Sequence, residues 1–136
     1  MKKRGFGIGK WNGAGGKIHE GETVVQGGLR ELEEEVGVRL QEEDLHYRGF
    51  LAFRYEDSGE KKNDTDCSVF TANYNGEVIE SEEMMPKWFN LEEIPFDEMW
   101  PDDKVWLPEL LKGENFRYEF TYSSLNDKNP QIKRIQ

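Results

Sequence analysis

Residues 16–38 read GKIHEGETVVQGGLRELEEEVGV, and the spacing inside that stretch decides both the fold class and the chemistry. Read as an α-helix turning about 100° per residue, it places Glu31, Glu34 and Glu35 within one turn, at i, i+3 and i+4, while Val25, Leu29, Leu32 and Val36 gather on a neighbouring stripe. The stripe predicts a buried face, and the edge beside it a carboxylate cluster. Like charges at this spacing destabilise a helix by a few tenths of a kcal/mol per pair, so the cluster needs free solvation or a compensating cation. Several carboxylate oxygens together suit a hard divalent ion, magnesium or manganese. Taken alone, the cluster also reads as an ordinary solvated acidic face; the residues around it decide between the two.

Those neighbours each have a local physical reason. Gly37 stands where the helix ends and a left-handed residue is wanted. Gly15 and Gly16 let backbone approach a phosphate or metal closely. Arg30 is placed to orient a glutamate through charge-assisted hydrogen bonds, with Glu22 as partner; a plain surface ion pair is the weaker alternative. Gly27 and Gly28 cost roughly 1 kcal/mol each inside a helix relative to alanine, and close packing against a sheet is the expected compensation.

The chain of 136 residues is the size of one ordinary domain, taken here as 1–136. A formal charge of −10 and a pI near 4.7 argue against a general polyanion binder such as a duplex-DNA protein, but they leave room for a small phosphorylated substrate. The basic group Lys2, Lys3, Arg4 and Lys10 is available to help neutralise one. Cys67 is the only cysteine, so no intrachain disulfide and no cysteine-rich zinc site can form. No apolar run approaches the length of a membrane span, and residues 1–15 lack a signal-peptide core. The expectation is a soluble protein of the cytoplasm, with no nucleic-acid or membrane partner.

Along the chain, the glycine-rich opening reads as the end of a strand, a loop and a short strand. Glu20-Gly21 turns into the acidic helix. Leu45–Tyr55 and Cys67–Tyr74 alternate and are rich in aromatics, which predicts two strands joined by the charged loop DSGEKKNDTD. Lys87–Leu91 is a further strand candidate. Asp102–Lys112 reads as a short helix capped by Asp102 or Asp103, and Arg117–Tyr122 with Gln131–Ile135 as a closing hairpin. The sum is an α+β fold, a mixed sheet sandwiched by helices.

Gly16, Glu22, Arg30, Glu31, Leu32, Glu34, Glu35, Gly37 and Val38 occupy every specified position of the Nudix box: glycine, five residues, glutamate, seven residues, then Arg-Glu-hydrophobic-x-Glu-Glu-x-Gly-hydrophobic. The chain thus resembles the Nudix hydrolases. KKRGFGIGKWNGAGGKIHEGET, SEEMMPKWF and IPFDEMWPDDKVWLPELL further resemble the MutT homologues that hydrolyse oxidised purine nucleoside triphosphates. The resemblance implies metal-dependent attack of water on the β-phosphorus of a nucleotide such as 8-oxo-dGTP or 2-oxo-dATP, giving a monophosphate and pyrophosphate; the alternatives are a Nudix hydrolase of another nucleoside diphosphate derivative and a non-catalytic Nudix nucleotide-binding module. It makes Glu31, Glu34 and Glu35 the metal-binding and water-activating carboxylates, Gly15 a carbonyl ligand and Glu83 a more distant metal contact. Glu34 is the first choice of general base and Glu35 the second. Arg30 joins the catalytic set, and Lys2, Asn12, Trp100, Asp102, Asp103, Phe6 and Phe53 contact substrate. Family members carry a strand before the counterpart of Lys2, so an N-terminal strand is expected to be missing; the protein is then a monomer unless another subunit supplies it.

The base-pocket chemistry also follows from donor and acceptor patterns. An 8-oxopurine of the guanine type offers an N7–H donor beside an O6 acceptor, and guanine offers two acceptors there. Adjacent aspartates in a partly dry pocket favour holding one proton between them, so Asp102 and Asp103 can match either edge. Asn12 carries both functions, and Trp100 offers a stacking face.

Overall fold

The computed structural model describes residues 1–136, which fall into two compact units: residues 1–46 with 72–100, and residues 47–71 with 101–136.

The first unit is built round helix α1 (Val24–Val36). Thr23 caps it: its hydroxyl accepts from the Gln26 N–H at 3.1 Å, and the Gln26 side chain returns to the Thr23 N–H at 2.9 Å. This is the reciprocal box that Thr-x-x-Gln encodes. Gly37 ends the helix at φ 71° and donates to the Glu33 carbonyl at 3.0 Å. Val36, Val38 and Met84 form the buried cluster of this unit, with Leu32, Leu40, Tyr74 and Val78 packed on it. Gly27 is explained by the loop rather than by a sheet, because a Cβ there would collide with the Ile18 side chain. Gly28 faces open space, and nothing in the structure explains it.

Two expected strands of this unit shrink. The opening segment forms only an antiparallel bridge, Lys2 opposite Met84, because residues 2–10 curl back on themselves through Lys2 N–H to Lys10 O and Gly9 N–H to Lys2 O, both 2.9 Å. Residues 87–91 form no strand. Their aromatic residues make side-chain contacts instead: Trp88 stacks on Tyr74, and Phe89 meets Trp11 edge to face.

The second unit is a sheet and a helix. Strands β1 (His46–Tyr55), β2 (Thr65–Thr71), β3 (Phe116–Tyr122) and β4 (Gln131–Arg134) lie in the order β2-β1-β3-β4, with β1 and β3 parallel and β3 and β4 antiparallel. Only His46 belongs to the other unit. The sheet is therefore mixed, and the fold α+β. The charged loop between β1 and β2 folds into a 3-10 turn, Ser58–Asn63, and Asp64 accepts from the Tyr55 N–H at 2.9 Å. The period of two on β3 buries Phe116, Tyr118, Phe120 and Tyr122 on one face, as strand geometry requires. Leu51 and Tyr55 complete this core. Helix α2 (Asp103–Leu111) covers it with Val105, Trp106 and Leu110. No helix is long and apolar enough to cross a membrane.

Candidate active site

Arg30 organises the acidic face of α1. Its Nε donates to Glu22 Oε2 at 2.7 Å and its Nη2 to Glu22 Oε1 at 3.1 Å, a two-point grip matched to a carboxylate. Nη1 reaches Glu31 Oε1 at 2.9 Å and Glu34 Oε2 at 3.2 Å, and Nη2 also holds the Lys17 carbonyl at 3.0 Å. The expected Arg30–Glu22 pairing is thus present, and Arg30 also binds two of the helix's own carboxylates. Hydrogen bonds from Arg30 first, and then from the His19 N–H, hold the Glu22 carboxyl down at about 2.

Beside this network a cavity of about 290 Å³ is lined by Gly15, Gly16, Glu31, Glu34 and Glu35, with Arg30, His19, Lys2 and Glu83 at its walls. The three box glutamates differ in environment. Glu34 is 58% exposed. Glu31 is half-buried and fixed by Arg30. Glu35 is 3% exposed, and its Oε2 is buried without a hydrogen-bond partner. Burial first, then the shared hydrogen bond with Glu31, pushes the Glu35 carboxyl up to about 7, against the opposing pull of Lys2 and the Gly15 N–H. Gly16 is needed for close approach: a Cβ there would lie 2.6 Å from Glu31 Oε1.

Glu83 turns toward cations rather than toward the other acids. Lys2 Nζ meets it at 3.3 Å and Arg4 Nε at 2.8 Å, and those hydrogen bonds hold its carboxyl below the usual range. The acidic side chains do not converge into a closed ligand set, because Arg30 takes Glu31 and Glu34 while Lys2 and Arg4 take Glu83.

The residues expected to read a base fall in both units. In the first, Trp100 stacks on Phe6 with centroids 5.1 Å apart and planes 19° apart, and Lys10 sits over its ring at 5.1 Å. Asn12 accepts from the Gly13 N–H at 2.9 Å through its side-chain oxygen. In the second, Phe53 stacks on Phe120. Asp102 and Asp103 are 2% and 3% exposed. Of the two aspartates expected to cap α2, Asp102 stands at the N-cap position, but its side chain makes no cap hydrogen bond. Tyr122 OH donates to Oδ1 and Trp106 Nε1 donates to Oδ2 at 2.9 Å. Burial raises the Asp102 pKa, and those two donors oppose the rise. Tyr122 and Trp106 were not apparent as site residues from sequence. Trp106 lies at i+4 from Asp102 and carries a readable signal; Tyr122, on β3, has none.

An acidic helix closed by a left-handed glycine, with a glycine loop pressed against Glu31, is the arrangement expected of a pyrophosphohydrolase. The chain belongs to the Nudix family, whose NUDIX domain matches residues 1–110, and it is a Nudix hydrolase. It is similar to the oxidized purine nucleoside triphosphate hydrolase of Mus musculus, 47% identical over 90% of this chain and 76% of that protein. The Danio rerio protein of the same name is 46% identical over the same shares. Among solved structures, a MutT protein from Bacillus halodurans superposes with a TM-score of 0.77 at 22% identity, covering 92% of this chain and 83% of that one, a likeness of fold.

Hydrolases of this family use a divalent metal. The residues present fit such an ion in kind. Glu31, Glu34 and Glu35 offer hard oxygen donors on one cavity wall, and the buried, unpartnered Oε2 of Glu35 is an acceptor without a donor inside the protein.

Proposed function

We propose that the chain hydrolyses oxidised purine nucleoside triphosphates, of the 8-oxo-dGTP and 2-oxo-dATP kind, to a nucleoside monophosphate and pyrophosphate. Magnesium is the proposed ion, with manganese able to substitute. The observation that carries the reading is the acid-lined cavity on α1 in a chain 47% identical to a hydrolase of such nucleotides. The proposal takes residues 1–136 as one catalytic domain that acts as a monomer on the cytoplasmic nucleotide pool.

Glu31, Glu34 and Glu35 would hold the metal, with Gly15 and Glu83 beside them. When bound, the metal lowers the pKa of water and screens charge developing on the phosphates. Proton acceptance from the attacking water is assigned to Glu34, the box glutamate most open to solvent. Arg30 keeps Glu31 and Glu34 in fixed orientation against their mutual repulsion. Lys2, at the cavity wall, presents an ammonium to the phosphate chain.

Base recognition is assigned to separate groups. Trp100, backed by Phe6, supplies a stacking face. Asn12 has amide donors left over after its oxygen is used. Phe53 adds apolar surface. Asp102, whose two oxygens already accept from Tyr122 and Trp106, is fixed as a scaffold for Asp103, its chain neighbour and the aspartate assigned to the oxidised edge. A site built to pair with a particular hydrogen-bond edge discriminates strongly against its absence.

Pyrophosphate release from 8-oxo-dGTP and dGTP, each with magnesium, tests the reading. The oxidised substrate should be preferred by about tenfold or more. Equal rates would overturn the base assignment, and no pyrophosphate from either triphosphate, with nucleoside monophosphate formed instead from a dinucleotide or ADP-ribose, would move the activity to another Nudix substrate.

A further inference from the structure

Ser81 lies outside the signature motif, yet it joins the helix carrying Glu35 to the segment carrying Glu83 and Lys2. Its Oγ donates to the Glu35 backbone carbonyl at 2.7 Å. That carbonyl is one of the last on α1, where no helical N–H remains to bind it. The same oxygen accepts from the Glu83 N–H at 3.3 Å and the Met84 N–H at 3.2 Å. The preceding helix-end contact is also made by this segment, since the Ile79 N–H donates to the Val36 carbonyl at 2.8 Å. Residues 79–84 therefore dock on the end of α1 through two bonds, and Ser81 supplies the one nearest the cavity.

From Ser81 the connections continue into the wall of the site. Met84 is bridged to Lys2, and the Lys3 N–H donates to the Glu83 carbonyl at 2.9 Å. Lys2 Nζ then meets the Glu83 carboxylate. The hydroxyl thus lies one bond from the backbone of the buried glutamate and one bond from the backbone of the cavity's outlying acid. A hydroxyl has one donor and two acceptor sites, and all three are engaged.

We propose that Ser81 is a positioning residue for the divalent-metal site: it sets the spacing between Glu35 on α1 and the Glu83–Lys2 wall opposite. This inference rests on the metal reading above. Partners that orient ligands without touching the ion typically change metal affinity by about 10- to 100-fold when removed.

The test is Mn2+ binding, followed by loss of the free-ion EPR signal and by calorimetry, on the unmodified protein and on Ser81→Ala, Ser81→Thr and Ser81→Val. Threonine and valine have nearly the same shape and differ in the hydroxyl. Ser81→Ala and Ser81→Val should each weaken Mn2+ binding by about tenfold. Ser81→Thr should stay within about threefold of the unmodified protein, with circular dichroism unchanged throughout. Equal affinity in Ser81→Thr and Ser81→Val, or unmodified affinity in Ser81→Ala, would overturn the role of Ser81 while leaving the metal site standing. Failure of the unmodified protein to bind Mn2+ would overturn the metal reading and this inference with it.

Discussion

Replacing Gly16 by alanine separates stability from turnover, and its size follows from the geometry. The added methyl would stand 2.6 Å from Glu31 Oε1, 2.7 Å from Cδ and 3.0 Å from Oε2, where carbon contacts relax at about 3.5 Å. The carboxylate must retreat by roughly 0.8 Å, which stretches its 2.9 Å bond from Arg30 beyond hydrogen-bonding range. Since the obstruction is the far end of a flexible side chain, the fold should tolerate it. One weakened charge-assisted bond at a part-exposed site costs about 1 kcal/mol, a fall of a few degrees in Tm. Turnover should suffer far more, because misplacing a reacting group by about 1 Å costs on the order of 100-fold. The assay is initial-rate pyrophosphate release against magnesium concentration, with thermal unfolding in parallel. Gly28→Ala is the control: its methyl meets nothing within 4 Å, it lines no part of the cavity, and activity should stay within about threefold. If Gly16→Ala retains more than a third of the activity with an unchanged magnesium requirement, the close approach of loop and Glu31 has no catalytic meaning.

Glu35→Gln should lower kcat by about 100-fold or more with circular dichroism unchanged; retention of most activity would show that the metal ligands are misassigned. Arg30→Lys keeps the charge but loses the fork that grips Glu22 while reaching Glu31 and Glu34, so kcat should drop about tenfold, and an unaffected enzyme would reduce Arg30 to a surface ion pair. Asp102→Asn leaves one of two donors, Tyr122 OH or Trp106 Nε1, without an acceptor, so urea unfolding should show a loss of about 1–3 kcal/mol and preference for oxidised substrates should fall over tenfold. Asp102 also has a folded pKa raised above its unfolded one. Its favourable contribution is therefore complete below the unfolded value of about 3.9 and is lost as pH rises through the folded value; relative to Asp102→Asn, the unmodified protein should lose stability over that rise, and parallel pH profiles would contradict it.

How much was legible in the sequence depended on whether a residue's partners were local. The helix, its glycine stop and the Arg30–Glu22 pair lie within a few turns of one another, and all three could be read. The Thr23–Gln26 box is equally local, a Thr-x-x-Gln start signal one position before Val24 that the reading of Glu20-Gly21 as the turn passed over. The strand expected at 87–91 failed because the adjacent aromatics Trp88 and Phe89 suit packing on Tyr74 and Trp11 as well as they suit a strand. Asp102 failed differently. An aspartate at a helix start reads as a cap, and only the fold reveals that Tyr122, 20 residues on, claims it. Ser81 is 46 residues from the carbonyl it binds, and no spacing rule reaches that far.

What marks a functional carboxylate here is unmet acceptor capacity, not acidity. With 28 acidic side chains against 18 basic ones, composition cannot single out any of them. The buried and half-buried acids divide once their oxygens are counted. Asp102 has a donor on each oxygen and asks for nothing further. Glu109 has an unpartnered Oε2, but Tyr118 and Arg134 both bind its Oε1, so a full cation is already beside it. Glu35 alone combines near-complete burial, a neighbouring carboxylate and an oxygen with no donor. Arg30 cannot serve it, because its Nε, Nη1 and Nη2 are taken up with Glu22, Glu31, Glu34 and the Lys17 carbonyl. A buried acceptor left in that condition costs about 1–3 kcal/mol, which a small hard cation can offset. The arginine thus does more than neutralise charge. By fixing Glu31 and Glu34 while leaving Glu35 unserved, it keeps the acidic face folded and concentrates the remaining demand for positive charge at one buried oxygen.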